Sequence, residues 1–391
     1  MSFEEWKEVR LGDVVTLKRG YDLPKKDRKI GEYPIIASNG VTDFHESFKV
    51  KGPGVTTGRS GTLGEVYYQE GDFWPLNTTL YAYDFHDNDR RFIYYLLKTL
   101  NLSNYNAGSS VPTLNRNHIH SLTLKIPQVR EQQKISEILF RLEKKVDLNN
   151  QINQKLEEMA QAIFRSWFID FEPFQEAEFV DSELGRIPKG WEVGKLSDFV
   201  QLNPREILRK KTIATYIDMA SLPTSSARIN NINLRGFNSG TKFRQGDVLF
   251  ARITPCLENG KTAIVDFLDS DEVGWGSTEF IVMRGTETDM MEFLYFLVRG
   301  KNFRSFAMKN MTGTSGRQRV SADSLGNYSL AIPPINKIKD YIELVRPFFL
   351  KMKENDKQSQ TLANLRDTLL PKLMSGELRI PSEPIEGGVT V

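Results

Sequence analysis

The chain has 391 residues, 39% of them hydrophobic and 26% charged, enough apolar material for two or three cores. Its single cysteine, Cys256, excludes an internal disulfide and fits a reducing, cytoplasmic setting, and no signal peptide or membrane span is expected. The net charge of +2 is uninformative, but its distribution is not. Arg90 to Arg130 contains six basic residues and no acid, and so does Phe293 to Ala322. Two acid-free basic windows suggest two surfaces that face a polyanion.

In chain order, the first element is a strand-like stretch, Trp6-Lys-Glu-Val-Arg-Leu-Gly-Asp-Val-Val-Thr-Leu17, which recurs as Trp191-Glu-Val-Gly-Lys-Leu-Ser-Asp-Phe-Val-Gln-Leu202. Gly/Pro/Asn-rich chain follows, with short β-type runs at 64–68 and 247–252. Trp74 matches Trp275, and the aromatic helix Phe92–Lys98 matches Phe293–Arg299. A Ser/Gly-rich loop comes next, at Asn106–Thr113 and at Thr312–Gly316, and then a strand running into Ile-Pro at Pro127 and Pro333. The separation between matched segments only grows along the chain, as a duplication with loop insertions in the second copy requires.

Each copy ends in a long helix. Residues 131–167 contain no Gly or Pro. Heptad spacing lines up Ile135, Leu142, Asn149, Leu156 and Ile163, with Ile138, Lys145, Ile152, Met159 and Ser166 as the second column. The second copy repeats this with Tyr341, Phe348, Asn355, Leu362 and Leu369, beside Leu344, Lys351, Gln358, Leu365 and Lys372. Lys145, Asn149, Lys351 and Asn355 are the expected register-setting polar residues of the seam. Pro347 and Pro371 predict a kink or break in the second helix. Paired antiparallel, such helices form a rigid spacer with a pseudo-twofold axis.

Recognisable chemistry is scarce. Gly260-Lys-Thr262 lacks the earlier glycine of a phosphate loop, since Pro255 stands there. The four histidines have no metal-ligand spacing, and no metal or bound cofactor is expected. Asn203-Pro-Arg-Glu206 begins like the adenine-methyltransferase motif but lacks its second proline and its aromatic. Glu143-Lys-Lys145 fits a nuclease pattern only formally, because it lies on the seam helix. No catalytic residue is assigned.

The candidate DNA contacts are basic or amide residues in loops. Lys18, Arg19, Lys25, Lys26 and Arg28 follow the first strand, and Asn203, Arg205, Arg209, Lys210 and Lys211 occupy the corresponding place in the second copy. Arg59 and Ser60 lie in the glycine-rich turn, with Arg252 opposite Arg59 in the repeat. Arg116 in one copy, and Arg317 with Arg319 in the other, follow the Ser/Gly loops. Arginine and asparagine can read guanine and adenine bidentately, whereas lysine mostly tracks phosphate.

Five ordered segments make the chain resemble the specificity subunits of type I restriction-modification systems. They are Trp6-Lys-Glu-Val-Arg-Leu-Gly-Asp13, Ile126-Pro-Gln-Val-Arg-Glu-Gln-Gln-Lys-Ile135, Ala162-Ile-Phe-Arg-Ser-Trp-Phe-Ile-Asp-Phe171, Ser182-Glu-Leu-Gly-Arg-Ile-Pro-Lys-Gly-Trp-Glu-Val193 and Leu369-Leu-Pro-Lys-Leu-Met-Ser-Gly-Glu-Leu378. The second Ile-Pro segment, from Ile332, lacks the Glu-Gln pair of the first.

The resemblance implies an α+β fold: two tandem α/β target-recognition domains separated by two long antiparallel coiled-coil helices. The expected segments are a first domain at 1–128, a central helix at 129–170, a linker at 171–190, a second domain at 191–334, a distal helix at 335–378 and a flexible tail at 379–391. Each domain would read half of a split site on double-stranded DNA, and the helices would set the spacer. Two modification subunits using S-adenosylmethionine would dock around the helices, and restriction subunits using ATP and Mg²⁺ would join them. From the residues alone two other readings stay open: a DNA adenine methyltransferase or nuclease with an unrecognised site, and a coiled-coil scaffold that does not bind DNA.

Overall fold

The computed structural model describes residues 5–107, 111–229, 231–287, 289–314 and 316–380. Residues 108–110 and 315 of the two Ser/Gly loops, and 381–391 of the expected tail, lie outside the described residues. The chain divides into two compact units, 1–147 with 358–391, and 148–357.

In the first unit β1 (Lys7–Arg10) pairs antiparallel with a strand far along the chain, and a 3₁₀ turn at Leu11–Asp13 leads into β2 (Thr16–Arg19). Then come β3 (Tyr33–Ala37), β4 (Gly40–His45), β5 (Gly54–Gly58), β6 (Val66–Gln69), β7 (Trp74–Pro75) and β8 (Thr79–Asp84). They form a four-stranded antiparallel sheet in the order β2-β8-β5-β6 and a three-stranded sheet in the order β4-β3-β7. In the latter β3 and β7 run parallel, with Ile35 opposite Trp74.

Helix α1 (Arg90–Thr99) starts at Asp89, whose carboxylate accepts from the Phe92 N–H at 2.8 Å, and buries Phe92, Ile93, Tyr95, Leu96 and Leu97 against β5 and β6. After α2 (Arg116–His120), β9 (Thr123–Ile126) closes the unit as the partner of β1. His120 is a structural histidine here: its Nε2 accepts from the Leu17 N–H at 3.0 Å.

The second unit repeats the plan. A hairpin of β10 (Phe179–Ser182) and β11 (Gly185–Pro188) occupies much of the stretch expected as a linker. β12 (Glu192–Lys195) and β13 (Val200–Leu202) flank a 3₁₀ turn, as β1 and β2 do. β14 (Ile213–Ile217), β15 (Asn233–Gly236), β16 (Thr241–Phe243), β17 (Val248–Ala251), β18 (Thr262–Ile264), β19 (Gly274–Gly276) and β20 (Phe280–Gly285) follow. They form sheets in the orders β13-β20-β17-β18 and β15-β14-β19-β16. β14 runs parallel to β19, with Tyr216 opposite Trp275, as β3 does to β7.

Helices α3 (Val129–Phe168), α4 (Met291–Arg299), α5 (Lys301–Lys309) and α6 (Ala322–Gly326), strand β21 (Ser329–Ile332, paired with β12) and helix α7 (Ile335–Ser375) complete the chain. α5 is an insertion, since a 3₁₀ turn at Leu102–Tyr105 stands at the corresponding place in the first unit.

The two long helices, 40 and 41 residues, are each divided between the units. At ~1.5 Å per residue each is about 60 Å long. Within each unit their segments run antiparallel. In the first, Ile135 and Leu139 share a core with Leu373 and Met374, and Arg379 grips Glu131 at 2.7 and 2.8 Å. In the second, Ala160, Phe164 and Phe168 pack with Ile338, Tyr341, Val345 and Phe349, and the Tyr341 hydroxyl donates to the Ala160 carbonyl at 3.2 Å.

The seam corrects the expected columns by one residue. Ile135, Leu142, Asn149, Leu156 and Ile163 face inward, but their partners are Leu139, Val146, Asn153, Ala160 and Trp167. Lys145 and Lys351 are exposed and do not lie in the seam, whereas Asn149 (0%) and Asn355 (3%) are buried in it. A heptad alternates steps of three and four, so the first column leaves both choices for the second. Apolar residues on both flanks (Ile138 and Leu139, Met159 and Ala160) hid the choice. The expected break at the prolines is also absent, because α7 is continuous through Pro347 and Pro371. Burial of Val345, Phe349 and Met352 around the first, and of Leu373 and Met374 beyond the second, holds the helix where one backbone bond is lost.

Candidate nucleic-acid interface

In both units the same construction joins the end of a central strand to the polar loop. In the first, β5 ends at Gly58. The Arg59 N–H donates to Thr78 O at 2.8 Å, and the Leu114 N–H donates to Arg59 O at 2.8 Å. In the second, β17 ends at Ala251. The Arg252 N–H donates to Glu279 O at 3.0 Å, and the Val320 N–H donates to Arg252 O at 3.0 Å. Arg59 and Arg252 are therefore structural equivalents, and so are Thr78 and Glu279. Short bridges of Ser60 with Thr113 and of Ile253 with Arg319 fasten the loops.

Around this point the first unit collects several expected residues. Arg59 donates through Nη1 to Asn77 O at 3.2 Å, and the Asn77 side chain donates to the Asp22 carboxylate. Arg19 stands 4.0 Å from the same carboxylate. Lys18 lies 3.0 Å above the ring of exposed Tyr83, and the hydroxyls of Tyr21 and Tyr81 bond to each other at 2.9 Å. Burial is the main cause that raises the Tyr81 phenol, with its Tyr21 contact adding to it. Basic side chains beside aromatic rings suit a nucleic-acid surface, because cations meet phosphate while rings stack or pack on sugars. Lys25 and Lys26 project from a one-turn 3₁₀ helix, and Arg116 is exposed at the start of α2. Arg28 turns inward, with its guanidinium 3.2 Å from Asp43, and is not part of the exposed group.

In the second unit Arg205, Arg209, Lys210 and Lys211 are exposed along the turn that precedes β14. Asn203 is exposed but engaged: its φ is +51°, its N–H donates to Val282 O at 2.7 Å, and its Oδ1 accepts from the Val282 N–H at 3.0 Å. Beside it Glu206 points inward to Arg244 (2.6 Å) and Arg284 (2.8 Å), and Arg284 also grips buried Asp247 at 2.7 and 2.8 Å. Burial pushes the Asp247 carboxyl up while the Arg284 bonds pull it back. Arg317 is exposed, and Arg319 is bound to Glu279. Arg244, Asp247 and Arg284 around Glu206, and Glu279 beside Arg319, escaped sequence reasoning because their partners are scattered along the chain.

The motifs tested for chemistry have structural positions. Thr262 is buried at the start of β18, and Lys261 donates to Met219 O at 2.6 Å, so Gly260-Lys-Thr262 is a turn running into a strand rather than a phosphate cradle. Glu143 accepts from the Tyr95 hydroxyl at 2.8 Å and lies 3.4 Å from Lys98 and 3.6 Å from Arg366, a tie between α1 and the helix pair. Among the described residues no group of three or more His, Cys, Asp or Glu is placed to hold a metal ion. No described helix is long and apolar enough to cross a membrane.

A duplicated α/β domain carried on a pair of long antiparallel helix segments, with basic loops at equivalent strand ends, is the build of a DNA-reading protein. Residues 3–158 and 188–360 match the family model described as the type I restriction modification DNA specificity domain, and the chain belongs to that family. It is 29% identical over 316 residues to the type I restriction enzyme MjaIX specificity subunit of Methanocaldococcus jannaschii, covering 74% of this chain and 69% of that one. It is 20% identical over 410 residues to the MjaVIII specificity subunit of the same organism, covering 96% and 94%. The fold is similar to that of the S subunit from M. genitalium, with a TM-score of 0.62 at 15% identity over 94% of this chain and 96% of that one. The chain is thus a DNA-recognition subunit of a type I restriction-modification complex.

Proposed function

We propose that each unit reads one half of a bipartite duplex sequence and that the two long helices set the number of unread base pairs between the halves. The observation that carries this is the repeated construction at Arg59 and Arg252: one main-chain scaffold, used twice, bearing different side chains. A shared scaffold with divergent surface residues is what two related readers of different sequences need. Lys18, Arg19, Lys25, Lys26, Arg59, Ser60 and Arg116 would contact DNA from the first unit. Arg205, Arg209, Lys210, Lys211, Arg252, Arg317 and Arg319 would do so from the second, with Arg28 and Asn203 supporting their loops.

The same proposal extends to partners. Ile138 and Met159 on α3 are 39% and 51% exposed, and their counterparts in the repeat, Leu344 and Leu365 on α7, are 46% and 44% exposed. Exposed apolar side chains that recur at equivalent positions of the repeat support docking of two copies of one subunit. Those subunits would be the modification subunits, which supply S-adenosylmethionine chemistry, with ATP- and Mg²⁺-dependent restriction subunits joining in the cytoplasm. The test is reconstitution. The purified chain should neither bind S-adenosylmethionine nor methylate DNA, and adding cognate modification subunits should give adenine methylation. Methyl transfer by the chain alone refutes the reading.

A further inference from the structure

The basic window of the second unit is free of acids only along the chain. In space Glu279, from the turn between β19 and β20, stands inside it. Its N–H donates to Ser277 Oγ at 3.2 Å and its carbonyl accepts from Arg252, so the residue is fixed at both ends of its peptide unit. The carboxylate takes the Arg319 guanidinium side-on: Nε is 3.0 Å from each oxygen, and Nη2 is 2.7 Å from one of them. Arg252 Nε lies 4.0 Å away on the other side. Both side chains of the pair remain partly open to solvent, Arg319 at 40% and Glu279 at 24%.

A carboxylate on a surface that meets phosphates weakens binding unless it has a task there. The side-on grip suggests the task. It occupies the Nε edge of Arg319 and holds the guanidinium plane in one orientation, and Nη1 gives one hydrogen to Arg317 O at 3.2 Å. Of the five N–H groups of an arginine, two remain for a ligand. In the major groove only guanine presents two adjacent acceptors, O6 and N7, which match paired guanidinium donors. The first unit has no such device, because threonines stand at the equivalent places, Thr78 for Glu279 and Thr113 for Arg319.

We infer that Arg319, oriented by Glu279, reads a guanine in the half-site addressed by the second unit, and that the first unit has no corresponding contact. This rests on the reading that the second unit faces base edges. Glu279 is the positioning residue and Arg319 the specificity-determining one.

The experiment uses the chain assembled with its modification subunits and a library with both half-sites randomised. Wild type, Arg319→Lys and Glu279→Gln are compared by sequencing the methylated products. Arg319→Lys should lower the preference for guanine at one base pair of one half-site by roughly tenfold to a hundredfold. Glu279→Gln should relax the same base pair less, because an amide offers one acceptor oxygen where the carboxylate offers two. The other half-site serves as the internal control for folding and assembly and should be unchanged in both variants. A uniform loss across all sequences would make the pair a structural tether and overturn the inference. A larger loss in Glu279→Gln than in Arg319→Lys would make the carboxylate the reader and overturn it too. If wild type itself methylates without sequence preference, the proposed function fails, and this inference with it.

Discussion

Asn149 and Asn355 occupy the same place in the two copies of the repeat, and they meet each other. The Asn149 side-chain amide donates to the Asn355 main-chain carbonyl at 3.3 Å, and the Asn355 amide donates to Asn153 Oδ1 at 2.8 Å. Equivalent residues of an antiparallel pair face one another only at the centre of the pairing, so a polar layer marks that centre. Buried amides of this kind fix register at a cost in stability. Replacing Asn355 alone with Ala should destabilise the protein by about 1–3 kcal/mol, because it strands the Asn153 Oδ1 to which its amide donates. Replacing both Asn153 and Asn355, whose side chains bond to each other, with Leu should cost clearly less than the two single losses combined. Denaturant unfolding of the single and double variants decides it, and additive costs would contradict a register role.

Glu157 on α3 ties the helix pair to the second unit. It accepts from the Tyr295 hydroxyl at 2.5 Å and from the Ala227 N–H at 2.9 Å. Burial raises its carboxyl above the ordinary range, and these two bonds only partly offset that. The folded chain therefore holds this proton more tightly than the unfolded chain. The group's contribution to stability is full below the unfolded pKa and is lost as pH rises through the folded one. Replacing Glu157 with Gln should flatten that part of the stability curve, as followed by unfolding midpoints from acid to neutral pH. An unchanged slope would show that other groups set it.

Much of this fold was legible in the sequence because duplication leaves paired landmarks. Trp74 and Trp275, or Leu11 and Leu196, are visible as repeats since each must fill the same core position twice. The seam was half legible. Its first column follows from period seven, but Lys145 was assigned inward because both flanks of the stripe carry apolar residues. The interface was least legible, because charge partners such as Glu279 and Arg319, or Asp247 and Arg284, are joined by sheet topology rather than by spacing.

Pro347 lies on the exposed side of α7, where it removes a backbone donor without entering the core. Replacing it with Ala restores the bond to the Glu343 carbonyl and should stabilise the protein by up to about 3 kcal/mol. A lower thermal midpoint for this variant would mean that the helix is bent there by design and needs the proline.

The spacer role has a geometric consequence. Seven residues added to both α3 and α7 beside Asn149 and Asn355 preserve the seam and lengthen it by roughly 10 Å, about three base pairs. Methylation mapping of the reconstituted complex should return both half-sites intact with a longer gap. Altered half-sites with an unchanged gap would refute the spacer assignment.

The most direct measurement of the central claim is the set of DNA sequences methylated by the wild-type chain with its modification subunits. Two defined half-sites separated by a fixed run of unspecified bases are predicted. One continuous motif, or methylation without sequence preference, would contradict the account.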